Sequence, residues 1–188
     1  MKIPFPSDTT IMQYAESDLA SLTHYPFRFA CGIQLLCVSG RSIISTGVEQ
    51  YDFCETSELI FLAGSLIQVI NPSPDFRVRM LLFPKEIFLK ASLPIDTSYF
   101  NYITEVPYFN HAANDANLAS WRRVNQWMDM AELLFTQSGK AFPRATGTKL
   151  SAKFVYVGIQ QHSAKVSFHT QQVQPETNVV SPLYVLDT

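Results

Sequence analysis

From Tyr25 to Ala91 the chain runs in short apolar and polar alternations, each broken by Ser, Gly, Asn, Pro or Asp. Phe27, Phe29, Cys31, Ile33, Leu35 and Cys37 fall on one side of the first run, with Arg28, Gly32 and Gln34 on the other. That period of two is what a half-buried strand imposes on its side chains. Ser39-Gly40 ends it. Residues 42–46 and 49–53 predict a hairpin closed around Thr46-Gly47, where glycine supplies a positive φ. Residues 58–62 and 66–70 predict two further strands, joined through Ala63-Gly64-Ser65, and the second stops at Asn-Pro-Ser-Pro-Asp. Over residues 76–83, Phe76, Val78, Met80 and Leu82 alternate with Arg77 and Arg79, and Pro84 opens a single helical turn reaching Leu89. The count is about six or seven strands, the size of a small jelly roll, an antiparallel sandwich or barrel.

The flanks read differently. Pro4 and Pro6 keep the start extended, while Ile11, Tyr14, Leu19 and Leu22 can pin the rest of a leading arm, residues 1–24, to the sheet. Residues 93–115 hold Tyr99, Phe100, Tyr102, Tyr108 and Phe109 among prolines, which predicts a loop packed on the barrel. From Asn117 the period becomes helical: Leu118, Trp121, Val124, Met128, Ala131, Leu134 and Phe135 recur at steps of three and four. Asn114 or Asp115 can cap this helix and Ser138-Gly139 can stop it. A second helix is predicted over residues 148–166, and beyond Phe168 the sequence is tail-like. The fold class is therefore mainly β with C-terminal helices.

Composition narrows the function. The 188 residues are 47% hydrophobic and 16% charged, which fits a well-buried domain and excludes a disordered chain. A formal net charge of −2 argues against a chain that grips nucleic acid over a wide surface. The N-terminus MKIPFPSDTT has no signal-peptide core, and no run of about 18 apolar residues could span a bilayer. Cys31, Cys37 and Cys54 follow no metal spacing and read as reduced, mostly buried thiols in a cytoplasmic protein. No phosphate loop, GxSxG elbow or HExxH occurs, and Glu55 and Glu58 read as solvated carboxylates at a hairpin exit. No catalytic residue set emerges, and the chain is not expected to be an enzyme.

Five pieces of sequence carry a resemblance. They are Tyr25-Pro26-Phe27-Arg28, Ser39-Gly40, the Thr46-Gly47 hairpin, Glu58-Leu59-Ile60-Phe61-Leu62-Ala63-Gly64, and Phe83-Pro84-Lys85-Glu86-Ile87-Phe88-Leu89. In order and spacing the chain resembles the N-terminal ligand-sensing and dimerisation region of AraC-type transcriptional regulators, most of all those of Bacteroidetes. The resemblance implies a cupin-like jelly-roll β-barrel followed by a helical hairpin. On that basis residues 1–112 form a sensor barrel with its arm, 113–170 a helical dimerisation segment and 171–188 a tail. It also implies that Trp121, Val124, Met128, Ala131, Leu134 and Phe135 pack in part against a second copy, giving a homodimer. Trp127 and Leu133 lie off that stripe and give the helix a second apolar side, in line with a dimer.

Two departures from the family matter. Too few residues follow Thr170 for even one of the helix-turn-helix units with which the family reads DNA, so the chain by itself is not expected to bind an operator. Metal-binding cupins cluster three imidazole and carboxylate ligands inside the barrel. Here His24, His111, His162 and His169 are scattered outside the strand block, so neither metal nor other cofactor is expected. A jelly roll's mouth can instead hold a small effector, a sugar among the options, between apolar walls and a few polar groups. Gln34, Tyr51, Gln68 and Arg79 are the candidate ligand-binding residues, each of which faces water if the strand register is off by one. By the resemblance to cupins, Gln68 stands where metal-binding cupins would place a ligating histidine. Two alternatives remain: a metal-independent cupin enzyme such as a sugar epimerase or isomerase, and a ligand-free dimerisation module.

Overall fold

The computed structural model describes residues 11–92, 101, 103–112 and 114–135. Nine strands are ordered along the described chain: β1 Gln13–Ser17, β2 Phe27–Arg28, β3 Gly32–Ser39, β4 Arg41–Ser45, β5 Gln50–Cys54, β6 Ser57–Phe61, β7 Leu66–Ile70, β8 Arg77–Phe83 and β9 Tyr108–Asn110. Helix α1 spans Lys85–Ser92 and α2 spans Asp115–Phe135. The strands form two antiparallel sheets, one in the order β1-β8-β3-β6-β9 and the other β2-β7-β4-β5. The protein is mainly β, a two-sheet jelly-roll sandwich with a C-terminal helix.

Alternation dictates the first layer of packing. Ile33, Leu35, Cys37, Leu59, Phe61, Val78, Met80 and Leu82 of the larger sheet meet Ile44, Phe53, Ile67 and Val69 of the smaller one. Phe29 and Cys31, read with the same strand face, belong to this core. Tight corners make the sandwich possible. Gly47 closes the β4–β5 turn at φ +85°, and Gly40 turns β3 into β4 at φ +71°, where a Cβ would meet the Phe76 backbone at 2.7 Å.

A third layer covers the larger sheet's other face. Leu36, Ile60, Leu81 and Phe83 point away from the first core and pack under Ile87, Phe88, Ile103, Val124, Trp127, Met128 and Ala131. This explains why β6 and β8 are apolar at both parities: each is covered on two sides, as β6 is buried along its whole length. Burying a side chain the size of Met128 contributes about 1.5–3 kcal/mol, so the α2 face is a substantial part of the fold.

The elements differ from expectation at four places. The first alternating run, read as one strand from Phe27 to Cys37, splits into β2 and β3, which lie in different sheets. The arm contributes a strand, β1, which pairs with β8 from Gln13↔Leu82 to Ser17↔Val78. α1 runs through Ser92 and not for a single turn. Within the segment read as a loop, β9 adds an edge to the larger sheet through Glu58↔Phe109, and residues 103–105 are helical. α2 starts as its sequence suggests, with Asn114 Oδ1 accepting the Asn117 amide at 2.9 Å. The Ser138-Gly139 stop, the helix over 148–166 and the tail lie outside the described residues.

Candidate functional site

β5 and β9 are the edge strands of the two sheets, and on one side of the sandwich they face each other. Tyr51 from β5 and Tyr108 from β9 stack there with ring centroids 5.8 Å apart and planes 22° from parallel. Phe61 approaches Tyr51 at 6.2 Å, and the Tyr108 hydroxyl lies 3.1 Å from the Ser57 hydroxyl, which holds its ring in place. Beside this aromatic wall opens a cleft of about 450 Å³, lined by Thr46, Val48, Glu49, Tyr51, Ile60, Phe61, Leu62, Ser65, Ile103, Thr104, Glu105 and Pro107. That volume lies in the range of small-molecule sites, roughly 300–1,000 Å³.

Three stretches build the cleft. The β4–β5 turn supplies Thr46 to Glu49, held by the Thr46 amide donating to the Glu49 carbonyl at 2.9 Å. The end of β6 and its turn supply residues 60–65. The third stretch is 103–107, tied to β6 by the Ile60 amide donating to the Pro107 carbonyl at 2.9 Å. The Tyr51 hydroxyl donates to the Glu49 carboxylate. Burial, then that carboxylate, hold the Tyr51 phenol above its ordinary range, so it remains a protonated donor. The cleft thus offers apolar and aromatic walls, three aliphatic hydroxyls and two carboxylates.

Of the four candidate ligand-binding residues, Tyr51 alone lines this cleft. Gln68 lies on the smaller sheet's outer face, since Ile67 and Val69 take the inward positions of β7. Gln34 and Arg79 do face away from the first core, as their parity predicts, but the surface they reach lies beneath α2 and not in water. Gln34 Nε2 donates to Glu58 Oε1 at 2.6 Å, and His111 Nε2 lies 2.8 Å from Glu58 Oε2. Trp121 of α2 covers the His111 ring at 5.3 Å. Glu58 is fully buried and not the solvated turn carboxylate its neighbours suggest, whereas Glu55 is exposed as expected. Two partners for its two oxygens are what a buried carboxylate requires.

Arg79 fastens three elements together. Its guanidinium donates to the Tyr14 hydroxyl of β1 at 2.7 Å and pairs with Asp129 at 2.7 Å and Glu132 at 3.3 Å on α2. Burial alone would lower the guanidinium's pKa, but Tyr14 and Asp129 outweigh it and leave it above its ordinary value. Of the stripe expected to meet a second copy, Val124, Met128 and Ala131 are buried against this chain's own sheet, and Trp121, Leu134 and Phe135 are half-buried. Trp127, read as off the stripe, is buried with it, while Leu133 and Met130 are exposed. Among the described residues no group of three or more His, Cys, Asp or Glu could hold a metal ion, and no helix is long and apolar enough to cross a membrane.

No family model matches the chain, and no curated protein matches it. Similar solved structures include apo ToxT from Vibrio cholerae, 9% identical with a TM-score of 0.47, where the match covers 86% of this chain and 54% of that one. The AraC-like transcriptional activator CuxR is 11% identical with a TM-score of 0.43, covering 89% and 61%. The EutQ protein of Clostridium difficile is 16% identical with a TM-score of 0.31, covering 40% and 56%. The chain spans less than two thirds of each of these structures. No residue role is carried over from them.

Proposed function

We propose that this chain is the effector-binding and dimerisation region of an AraC-type transcription regulator, working in the cytoplasm, with DNA contacted by units outside this sequence. The observation that carries the reading is the open-edge cleft with its tyrosine wall. It is a half-open space with apolar and aromatic walls interspersed with polar groups, a form a small-molecule site can take. The five sequence pieces of the resemblance support it. They fall in order on β2, the β3–β4 corner, the β4–β5 turn, β6 with its turn, and the passage from β8 into α1. Three unbridged cysteines fit a reducing compartment.

The route from effector to output is short. Ile103, Thr104, Glu105 and Pro107 line the cleft, and along the chain they are followed by β9, His111 and α2. A small molecule, with sugars among those to be screened, would bias the seat of α2 by binding two arrangements of this segment with different affinity. The neighbouring Tyr51 hydroxyl and Glu49 carboxylate are read as ligand-holding groups and not as a catalytic pair.

A thermal-shift screen of small molecules tests it. A ligand bound only by the folded state raises the midpoint, by about 2.7 kcal/mol of stability at a hundredfold excess over Kd. At least one compound is expected to raise the midpoint of this chain and to fail with Tyr51→Ala, whose circular dichroism stays unchanged. A broad screen with no such compound sinks the sensor reading in favour of a ligand-free dimerisation module.

A further inference from the structure

The cleft's charge narrows what it can take. Glu49 and Glu105, both exposed, line it from two different segments, one on the β4–β5 turn and the other on the 103–107 stretch. Among its described lining residues there is no Lys, Arg or His. Arg28 is not among the lining residues, and one of its guanidinium nitrogens donates to the Gly64 carbonyl at 2.7 Å. A carboxylate or phosphate entering here would face two like charges with no described cation to receive it.

The walls favour the opposite sign. Tyr51, stacked on Tyr108 and flanked by Phe61, supplies aromatic surface here, and a ring face met by an ammonium or guanidinium attracts it through its negative quadrupole. Val48, Ile60, Leu62, Ile103 and Pro107 supply apolar surface for the body of such a ligand. The Glu49 carboxylate is fixed in place by the Tyr51 hydroxyl, so one anionic partner is preorganised at the wall.

We infer that the cleft binds an organic cation, an amine carried on an aromatic or aliphatic body, between Glu49, Glu105 and the Tyr51 face. The inference rests on the effector reading above and names its ligand class. Aryl and alkyl amines and amino sugars belong to that class; neutral sugars and carboxylates do not.

A matched set separates charge from shape: phenethylamine, phenethyl alcohol and 3-phenylpropionate, each titrated calorimetrically into the full chain. The amine is expected to bind more tightly than the alcohol and the carboxylate least, and the amine's affinity is expected to fall as salt is added. The double variant Glu49→Gln/Glu105→Gln changes exposed lining positions without changing their shape. It is expected to weaken the amine at least about tenfold, the loss of one charged contact or more, and the alcohol by much less. A carboxylate that binds as well as the amine overturns the inference, as does a double variant with undiminished amine affinity. Absence of binding by all three overturns it as well. The broad screen with Tyr51→Ala then tells whether the effector reading survives with a neutral ligand.

Discussion

Glu58 is the residue on which the sheet's helix-covered face turns. A carboxylate with no exposure is tolerated because Gln34 and His111 each meet one of its oxygens. Glu58→Ala removes both acceptors at once. Each buried donor left unmet costs about 1–3 kcal/mol, so urea unfolding is expected to report a loss of roughly 3 kcal/mol. Glu58→Gln keeps the shape and one acceptor, and should lose about half as much. A loss under about 0.5 kcal/mol for the alanine variant, the ordinary effect of a surface change, would return Glu58 to the solvated role its neighbours suggest. Arg79 differs in kind. Asp129 and Glu132 are 66% and 51% exposed, so each pair contributes little by itself, and the residue serves mainly to seat α2 against β1 and β8. Neither role was legible along the chain. Parity told correctly which side of the strand Gln34 and Arg79 take, but period two cannot say whether that side meets water or another layer. The clue was present in β6 and β8, where SELIF and RVRMLLF carry apolar residues at both parities.

At the scale of elements, strands bounded by their own turns were readable, and strands defined by distant partners were not. Gly40, Gly47 and Gly64 all take positive φ where the sequence put corners, and β7 begins and ends where expected. β1 and β9 escaped because each is an edge strand whose pairing lies far along the chain, Tyr14↔Leu81 and Glu58↔Phe109, with no local alternation to announce it. The cleft shares that cause: Tyr51 was legible on its strand, but Glu49 and Glu105 come to line one cleft only when residues 103–107 fold back over β6. α2 was legible as an amphipathic helix, and its pattern of exposure bears on the dimer. Its stripe is largely spent on its own sheet, so a second copy would meet the other face, where Met130 and Leu133 are exposed three residues apart. Met130→Glu/Leu133→Glu is expected to leave the circular dichroism unchanged and to halve the mass seen by light scattering. A wild-type chain that is monomeric at high concentration removes dimerisation from the proposed function.

The molecule as a whole is built to keep several weak acids neutral, and its stability should therefore fail on the alkaline side. Burial, and then the nearby Cys54, push the Cys37 thiol up to about 12, with a bond to the Ser39 carbonyl acting in the other direction. Burial likewise pushes the Tyr14 phenol up to about 12, although its bond with Arg79 opposes the shift, and burial also raises Cys31. In the unfolded chain a cysteine loses its proton near about 8.5 and a tyrosine near about 10. At neutral pH both states hold these protons and the burial of the neutral groups is fully in effect. As pH climbs from about 8 towards 12, the unfolded chain releases protons that the folded one retains, first from cysteine and then from tyrosine, so the equilibrium is drawn towards unfolding. Urea midpoints taken at pH 7, 9 and 11 are expected to fall modestly over the first step, as the unfolded cysteines ionise, and further over the second, as the tyrosine follows. Cys37→Ala/Tyr14→Phe starts lower, because a buried sulfur and the Arg79 partner are gone, yet its decline from pH 9 to 11 should be shallower than that of the unaltered chain. A wild-type midpoint that holds steady to pH 11 would mean that these groups ionise within the fold at little cost, and that the two-sided core around β3 and β8 is open to water.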